Sequence, residues 1–213
     1  MIKSVIFDLD GTLADTLPDI LCAVNGLRAH YGLSPVDYDY VYEFVNGDTN
    51  EFVKNSVPEI ADDNVDEGIK IYKSFYSKCY LDKTYAYEGM AELLSSLKAR
   101  GIKLAVFSNK ADEYVKSIAD KLFPGLFDIQ LGAGIFASKP SPDGALDIIK
   151  KFGVAPSETV FVGDSDVDVK TGNNAGMRVI GVSWGYRGHD FLTRLGSCEV
   201  ADTVDELSAA LDD

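Results

Sequence analysis

The sequence predicts a doubly wound α/β fold: a parallel sheet between helical layers, with a helical insertion close to its start. Three observations carry this reading. Short apolar runs rich in β-branched and aromatic residues recur without polar alternation, as in strands covered on both faces. Between them lie segments with apolar residues at i, i+3, i+4 and i+7, the spacing of single-faced helices. From residue 15 to residue 80, by contrast, there are helical stripes and no good buried strand. Alternating strands and helices favour right-handed crossovers and a parallel sheet.

In chain order, Val5-Ile6-Phe7 is the first strand. The insertion begins with the stripe Ile20, Leu21, Val24, Leu27 and Tyr31, where Pro18 suits a first helical turn. A second stripe is Val65, Ile69, Tyr72 and Tyr76. Met90, Leu93, Leu94 and Leu97 then form a helix that leads to the strand Leu104-Ala105-Val106-Phe107. Val115, Ile118, Ala119 and Leu122 form the next helix, followed by a weaker strand over 129–131. Ala145, Ile148, Ile149 and Phe152 precede the strand Val160-Phe161-Val162. Val179-Ile180-Gly181-Val182 is the last strand, and Val204, Leu207 and Leu211 form a thinner final helix. With connectors at 12–17 and 81–88, the expected division is a catalytic α/β domain over 1–14 and 84–213 and a helical domain over 15–83.

Composition narrows the function classes. The 213 residues carry 20 basic and 34 acidic side chains, a formal charge of −14, with 46% hydrophobic residues. That is globular composition, and the negative balance disfavours nucleic acid and anionic membranes as partners. No apolar run approaches the roughly 18 residues of a membrane span, and Asp8 and Asp10 interrupt the first apolar stretch too early for a signal peptide. Cys22, Cys79 and Cys198 are widely spaced and lack a zinc pattern with His30 or His189. The expectation is free thiols in a reducing cytoplasm, in a monomer or homodimer.

Ligands of open α/β sheets bind beyond the carboxyl ends of the strands, so the residues after each apolar run are the candidates. These are Asp8-Leu9-Asp10-Gly11-Thr12, Ser108-Asn109-Lys110, Lys139 in a turn with Pro140, and Gly163-Asp164-Ser165-Asp166-Val167-Asp168. Two carboxylates about 4 Å apart repel by roughly 4 kcal/mol at an effective dielectric near 20. Asp8, Asp10 and Asp164 therefore need a cation if they converge, and Mg²⁺ is the usual hard ion where a phosphate completes the shell. Lys139 adds positive charge, and Lys110 is a further candidate. The Gly11-Thr12 amides and the Ser108 hydroxyl suit an anion's oxygens. Because residues i and i+2 of an extended segment face one way, Asp8 and Asp10 can serve one centre, one as nucleophile and one as proton carrier.

Taken in order, these four segments resemble the motifs of the haloacid dehalogenase superfamily, and the helical insertion resembles its first-class cap. Ser108-Asn109-Lys110, Ser138-Lys139-Pro140, Gly172-x-x-Ala175-Gly176 and Ser183-Trp184-Gly185-Tyr186 are similar to the phosphoglycolate phosphatase branch. Asn46-Gly47-Asp48 loosely resembles that branch's glycine-containing substrate loop. The resemblance implies a Rossmannoid core and a Mg²⁺-dependent phosphatase of a small phosphate ester, with 2-phosphoglycolate the best single substrate. In that scheme Asp8 is nucleophile and metal ligand. Asp10 is general acid/base and lends the metal its backbone carbonyl. Asp164 ligates the metal, and Asp168 orients a metal-bound water or Lys139. Ser108, Asn109, Lys139 and the Gly11-Thr12 turn hold phosphate.

Alternatives at this level are a sugar phosphomutase, which keeps the site but needs insertion residues to hold a turning intermediate, and a phosphoaspartate signalling domain. Gly132-Ala133-Gly134-Ile135-Phe136-Ala137 fits a dinucleotide fingerprint. The prolines at 140 and 142 oppose the helix that such a site requires. Asp166 reads equally as a helix-start acid favoured by the macrodipole, and Trp184 and Tyr186 as packing residues.

Overall fold

The computed structural model describes residues 1–45, 49–60 and 64–212. The chain divides into two compact units, one of residues 1–15 with everything from 86 onward, the other of residues 16–85. From the N-terminus, β1 (Ser4–Phe7) and the two-residue β2 (Ala14–Asp15) lead to the helices of the second unit. These are α1 (Leu17–His30), α2 (Tyr38–Tyr42), α3 (Thr49–Ser56) and α4 (Val65–Cys79). The chain then passes through β3 (Tyr85–Ala86), α5 (Met90–Ala99), β4 (Lys103–Ala111), α6 (Asp112–Leu122) and β5 (Ile129–Ala133). It ends with α7 (Asp143–Phe152), β6 (Thr159–Gly163), α8 (Asp166–Asn174), β7 (Arg178–Val182), α9 (His189–Leu195), β8 (Glu199–Ala201) and α10 (Val204–Ala210).

Six strands form the main sheet in the order β5-β4-β1-β6-β7-β8, and their pairings are parallel. The chain builds outward from β1 on one side, then returns to build outward on the other. The order therefore reverses beside β1, where ligand crevices of such sheets open. All residues of β1 and β6 are buried, which is why both read as unbroken apolar runs. Helices cover the sheet through their apolar stripes: Ala145, Ile148, Ile149 and Phe152 of α7 pack with Ile6, Phe107 and Phe161 in one core cluster.

The helical unit contains more than its two long stripes. Among the described residues α2 and α3 are additional short helices, and Phe44, Phe52, Tyr72, Tyr76 and Tyr80 form a run of ring contacts with centroids 5.1 to 6.0 Å apart. Residues 46–48, where the substrate-loop resemblance falls, lie outside the described residues.

Two elements of the α/β unit carry too little apolar pattern to be read from sequence. The edge strand β8 has three residues, and α9 buries only Leu192. β4 also runs further than its apolar run, to Ala111, with a register shift against β5 between Phe107 and Ala111. Local irregularity of this kind re-aims side chains at the end of a strand.

Candidate active site

The register places the site. Phe7 pairs with Val106 on one side and Val162 on the other, and the Asp8 amide extends the ladder to the Val162 carbonyl at 2.9 Å. Asp8 and Asp164 therefore leave neighbouring strands within one residue of the same level. Both are buried, at 4% and 0% exposure. Asp168 joins them from α8, because Ser165 caps that helix: the Ser165 hydroxyl accepts from the Asp168 amide, while Oδ2 of Asp168 accepts from the Ser165 amide and hydroxyl. A capping box thus fixes the orientation of a site carboxylate.

Lys139 closes the cluster. Its ammonium donates to Oδ1 of Asp8 at 2.7 Å and to Oδ1 of Asp168 at 2.6 Å, over the rings of Phe107 and Phe161 at 5.9 Å each. Among the described residues, none hydrogen-bonds Oδ2 of Asp8. The Lys139 backbone is held by Asn109, whose amide oxygen accepts from the Lys139 N–H at 2.7 Å and whose nitrogen donates to the Lys139 carbonyl at 3.1 Å. Expected on phosphate, the Asn109 amide is committed to positioning the lysine.

Electrostatics follow from burial. Desolvation, aided by repulsion from Asp168, pushes the Asp8 carboxyl up to about 7 although Lys139 opposes the shift. Burial likewise raises Asp164 well above the usual carboxylate range, with Asp168 and Asp8 adding to it. For Lys139 burial disfavours the charge, yet Asp168 and Asp8 outweigh it and hold the ammonium above its ordinary value. One cation thus faces three buried carboxylates.

The turn after β1 is built for close approach. Gly11 has φ +80°, and a Cβ there would lie 2.4 Å from Oδ2 of Asp164. A Cβ on Gly185 would lie 2.3 Å from the Asp164 Cβ and 2.3 Å from the Gly11 carbonyl. Tyr186 donates its backbone N–H to Oδ2 of Asp164 at 2.6 Å, and the Thr12 hydroxyl reaches Oδ1 at 3.5 Å. The Gly11 and Thr12 amides, expected on phosphate, bond within the turn to Ala14 and Leu9 carbonyls. Trp184 donates its indole N–H to the Thr12 carbonyl at 3.1 Å. The Trp184-Gly185-Tyr186 segment is therefore part of the site wall, and its signal in the sequence was the glycine between two aromatics.

Asp10 lies beside this cluster. Its Oδ2 accepts from the Ser108 hydroxyl at 3.3 Å and its Oδ1 from the Lys110 ammonium at 2.7 Å. Asp166, by contrast, pairs with Lys170 one turn along α8 at 2.7 Å. The chain after Gly132-Ala133-Gly134 enters no helix before Asp143, so the dinucleotide pattern has no helix N-terminus to complete it.

A divalent cation fits the residues present. Carboxylate oxygens of Asp8, Asp164 and Asp168 lie within 4.8 Å of one another, an all-oxygen set of the kind hard cations prefer. Burial raises both Asp8 and Asp164 above the usual carboxylate range, and the neighbouring carboxylates add to it. Asp168 is bonded through Oδ1 to the Lys139 ammonium and through Oδ2 to Ser165, whereas Oδ2 of Asp8 accepts no hydrogen bond among the described residues and Oδ1 of Asp164 accepts only a long one, from Thr12 at 3.5 Å.

Comparison with known proteins identifies the family. The family model of haloacid dehalogenase-like hydrolases matches residues 5–182. A phosphoglycolate phosphatase of Psychrobacter arcticus is 31% identical over 98% of this chain and 94% of its own. One from Aquifex aeolicus is 32% identical over 86% of each. A crystal structure assigned as a phosphoglycolate phosphatase from Lactobacillus delbrueckii superposes with a TM-score of 0.91 at 29% identity, covering 98% of both chains. The chain belongs to the haloacid dehalogenase-like hydrolases.

Proposed function

We propose that this protein is a Mg²⁺-dependent phosphatase of a small phosphate monoester, 2-phosphoglycolate being the favoured substrate, acting through a phosphoryl group carried on Asp8. The enzyme is a phosphoric monoester hydrolase. The observation that carries this reading is the buried Lys139 ammonium shared by Asp8 and Asp168 beside Asp164. It supplies a nucleophile, its electrostatic partner and a cation-demanding pair of carboxylates at one strand end. The substrate preference is supported by the activity named for the Psychrobacter and Aquifex relatives.

In this mechanism Asp8 attacks phosphorus through Oδ2, forming an acyl-phosphate while the ester oxygen departs. Asp10 protonates that oxygen, then takes the proton of the water that hydrolyses the acyl-phosphate. Lys139 offsets charge on Asp8 and on the phosphoryl oxygens, and the Ser108 hydroxyl, which donates to Asp10 at 3.3 Å without substrate, turns to one of those oxygens when substrate binds. Asp8, the Asp10 backbone carbonyl and Asp164 would hold the Mg²⁺, which would supply electrostatic stabilisation of the transferring group. Residues 1–14 and 84–213 are read as the catalytic domain and residues 15–83 as a cap that excludes water and reads the organic half of the ester. The test is a panel of phosphate monoesters ranked by kcat/KM with Mg²⁺ and with EDTA. The expected result is turnover led by 2-phosphoglycolate and abolished by EDTA; no turnover of any ester would overturn the reading.

A further inference from the structure

Lys110 sits where the β4–β5 pairing breaks. Between Phe107 and Ala111 the register shifts, and Gly132 of β5 makes room for the diverted segment. A Cβ on Gly132 would lie 2.7 Å from the Lys110 carbonyl and 2.3 Å from the Asp112 Cα. The Gly132 N–H also donates to Oδ1 of Asp112 at 3.0 Å, and the Lys110 N–H donates to the Ser108 hydroxyl oxygen at 3.1 Å. The backbone around Lys110 is therefore pinned on both sides. Its side chain, 8% exposed, reaches Asp10, itself 14% exposed, with Nζ to Oδ1 at 2.7 Å. Ser108 holds the other oxygen at 3.3 Å. A long, entropy-rich side chain kept in one geometry this close to water is costly and is seen here aimed at the proton-carrying carboxylate.

From this geometry we infer that Lys110 is the positioning residue of the acid/base step, holding the Asp10 side chain in one orientation toward the leaving oxygen. The inference rests on the phosphatase reading above. In the step concerned, the bond from phosphorus to Asp8 forms and the bond from phosphorus to the ester oxygen breaks. The Asp10 proton passes to that oxygen. The water consumed in the second half returns the proton. Lys110 touches Asp10 rather than the phosphoryl group, so its effect scales with how much the leaving oxygen needs a proton.

That scaling supplies the test. kcat/KM, which reports events up to departure of the leaving group, is measured for wild type, Lys110→Met and Lys110→Arg. Three esters are used with Mg²⁺: 2-phosphoglycolate, ethyl phosphate and p-nitrophenyl phosphate. The first two expel poor alkoxide leaving groups, with and without a carboxylate, while the third expels a phenolate that needs little protonation. For Lys110→Met the expectation is a fall of about 30- to 100-fold on both alkyl esters and less than about 3-fold on the aryl ester. Lys110→Arg, which retains a cation, recovers most of the alkyl-ester rate. An equal fall on all three esters, matched by Lys110→Arg, would assign Lys110 a merely structural part and overturn the inference. A fall confined to 2-phosphoglycolate would overturn it too, making Lys110 a reader of the substrate carboxylate. Unchanged rates would do the same. A wild type inert on all three would instead remove the phosphatase reading beneath it.

Discussion

Asp8 and Asp19 are both buried carboxylates, 4% and 1% exposed, one in each unit, and they are used in opposite ways. Asp19 lies in the first turn of α1, where the macrodipole favours an anion. It is satisfied by neutral donors. The Lys83 N–H reaches both oxygens at 3.1 and 3.0 Å, and the Thr84 N–H and hydroxyl each donate to Oδ2 at 2.8 Å. Asp8 receives one ammonium and is crowded by other carboxylates. Burial alone therefore does not mark a reactive group. Neutral donors on both oxygens make a structural clamp, whereas crowded carboxylates sharing one ammonium make a place that a cation would stabilise.

Substitution separates the two most sharply. Asp8→Asn removes the proposed nucleophile, and kcat is expected to fall by more than about 10³-fold. The thermal midpoint without metal holds or rises, because a neutral amide replaces a repelled carboxylate. Steady-state rates and melting curves of the same preparation check both halves.

Asp19→Ala reverses the pattern. It strips three buried donor groups of their acceptor, so unfolding in urea is expected to lose about 2–4 kcal/mol. The folded fraction keeps its kcat near wild type. A loss of kcat at unchanged stability would erase the contrast.

Acidity offers a subtler comparison within the site. The Asp8 carboxyl is raised from 3.8 to about 7, chiefly by burial. Folded protein without metal thus holds a proton that the unfolded chain releases, and its stability falls as pH climbs between those values. On the proposed reading Mg²⁺ would take the place of that proton, so denaturation midpoints in EDTA should decline across this window while those in saturating Mg²⁺ stay flatter.

The smallest effect is expected far from both carboxylates. A hydrogen bond from the His189 ring to Oδ1 of Asp202, at 2.6 Å, raises the imidazole above its ordinary 6.5. The ion pair is fully formed below 6.5 and fades as pH rises through the raised value. Both side chains are about half exposed, so solvent screens the pair. An NMR titration showing the His189 transition move down in Asp202→Asn would register it.

Legibility followed apolar pattern. β1, β6 and the α7 stripe were readable because burial on both faces or on one face leaves a periodic record in the residues themselves. β8 and α9 left none, being short and mostly exposed. In the site, Asp8, Asp164, Asp168 and Lys139 could be picked out as candidates because each follows an apolar strand or sits in a turn. Lys110 and the Trp184-Gly185-Tyr186 wall were weighed only as charge or packing. Their partners are Asp10 and Asp164, which no local spacing connects to them.

Residue order alone determined the α/β class, the chain position of the helical insertion and the chemical types gathered at the strand ends, because these depend on periodicity and composition. Tertiary structure decided which oxygen each cation faces: that Asn109 braces Lys139, that the Gly11-Thr12 amides serve their own turn, and that Lys110 meets Asp10. Such pairings depend on strand register, on a shifted ladder and on glycines lacking a Cβ at the points of closest approach. These are relations between segments distant in the chain, and they exist only once the sheet has closed around β1.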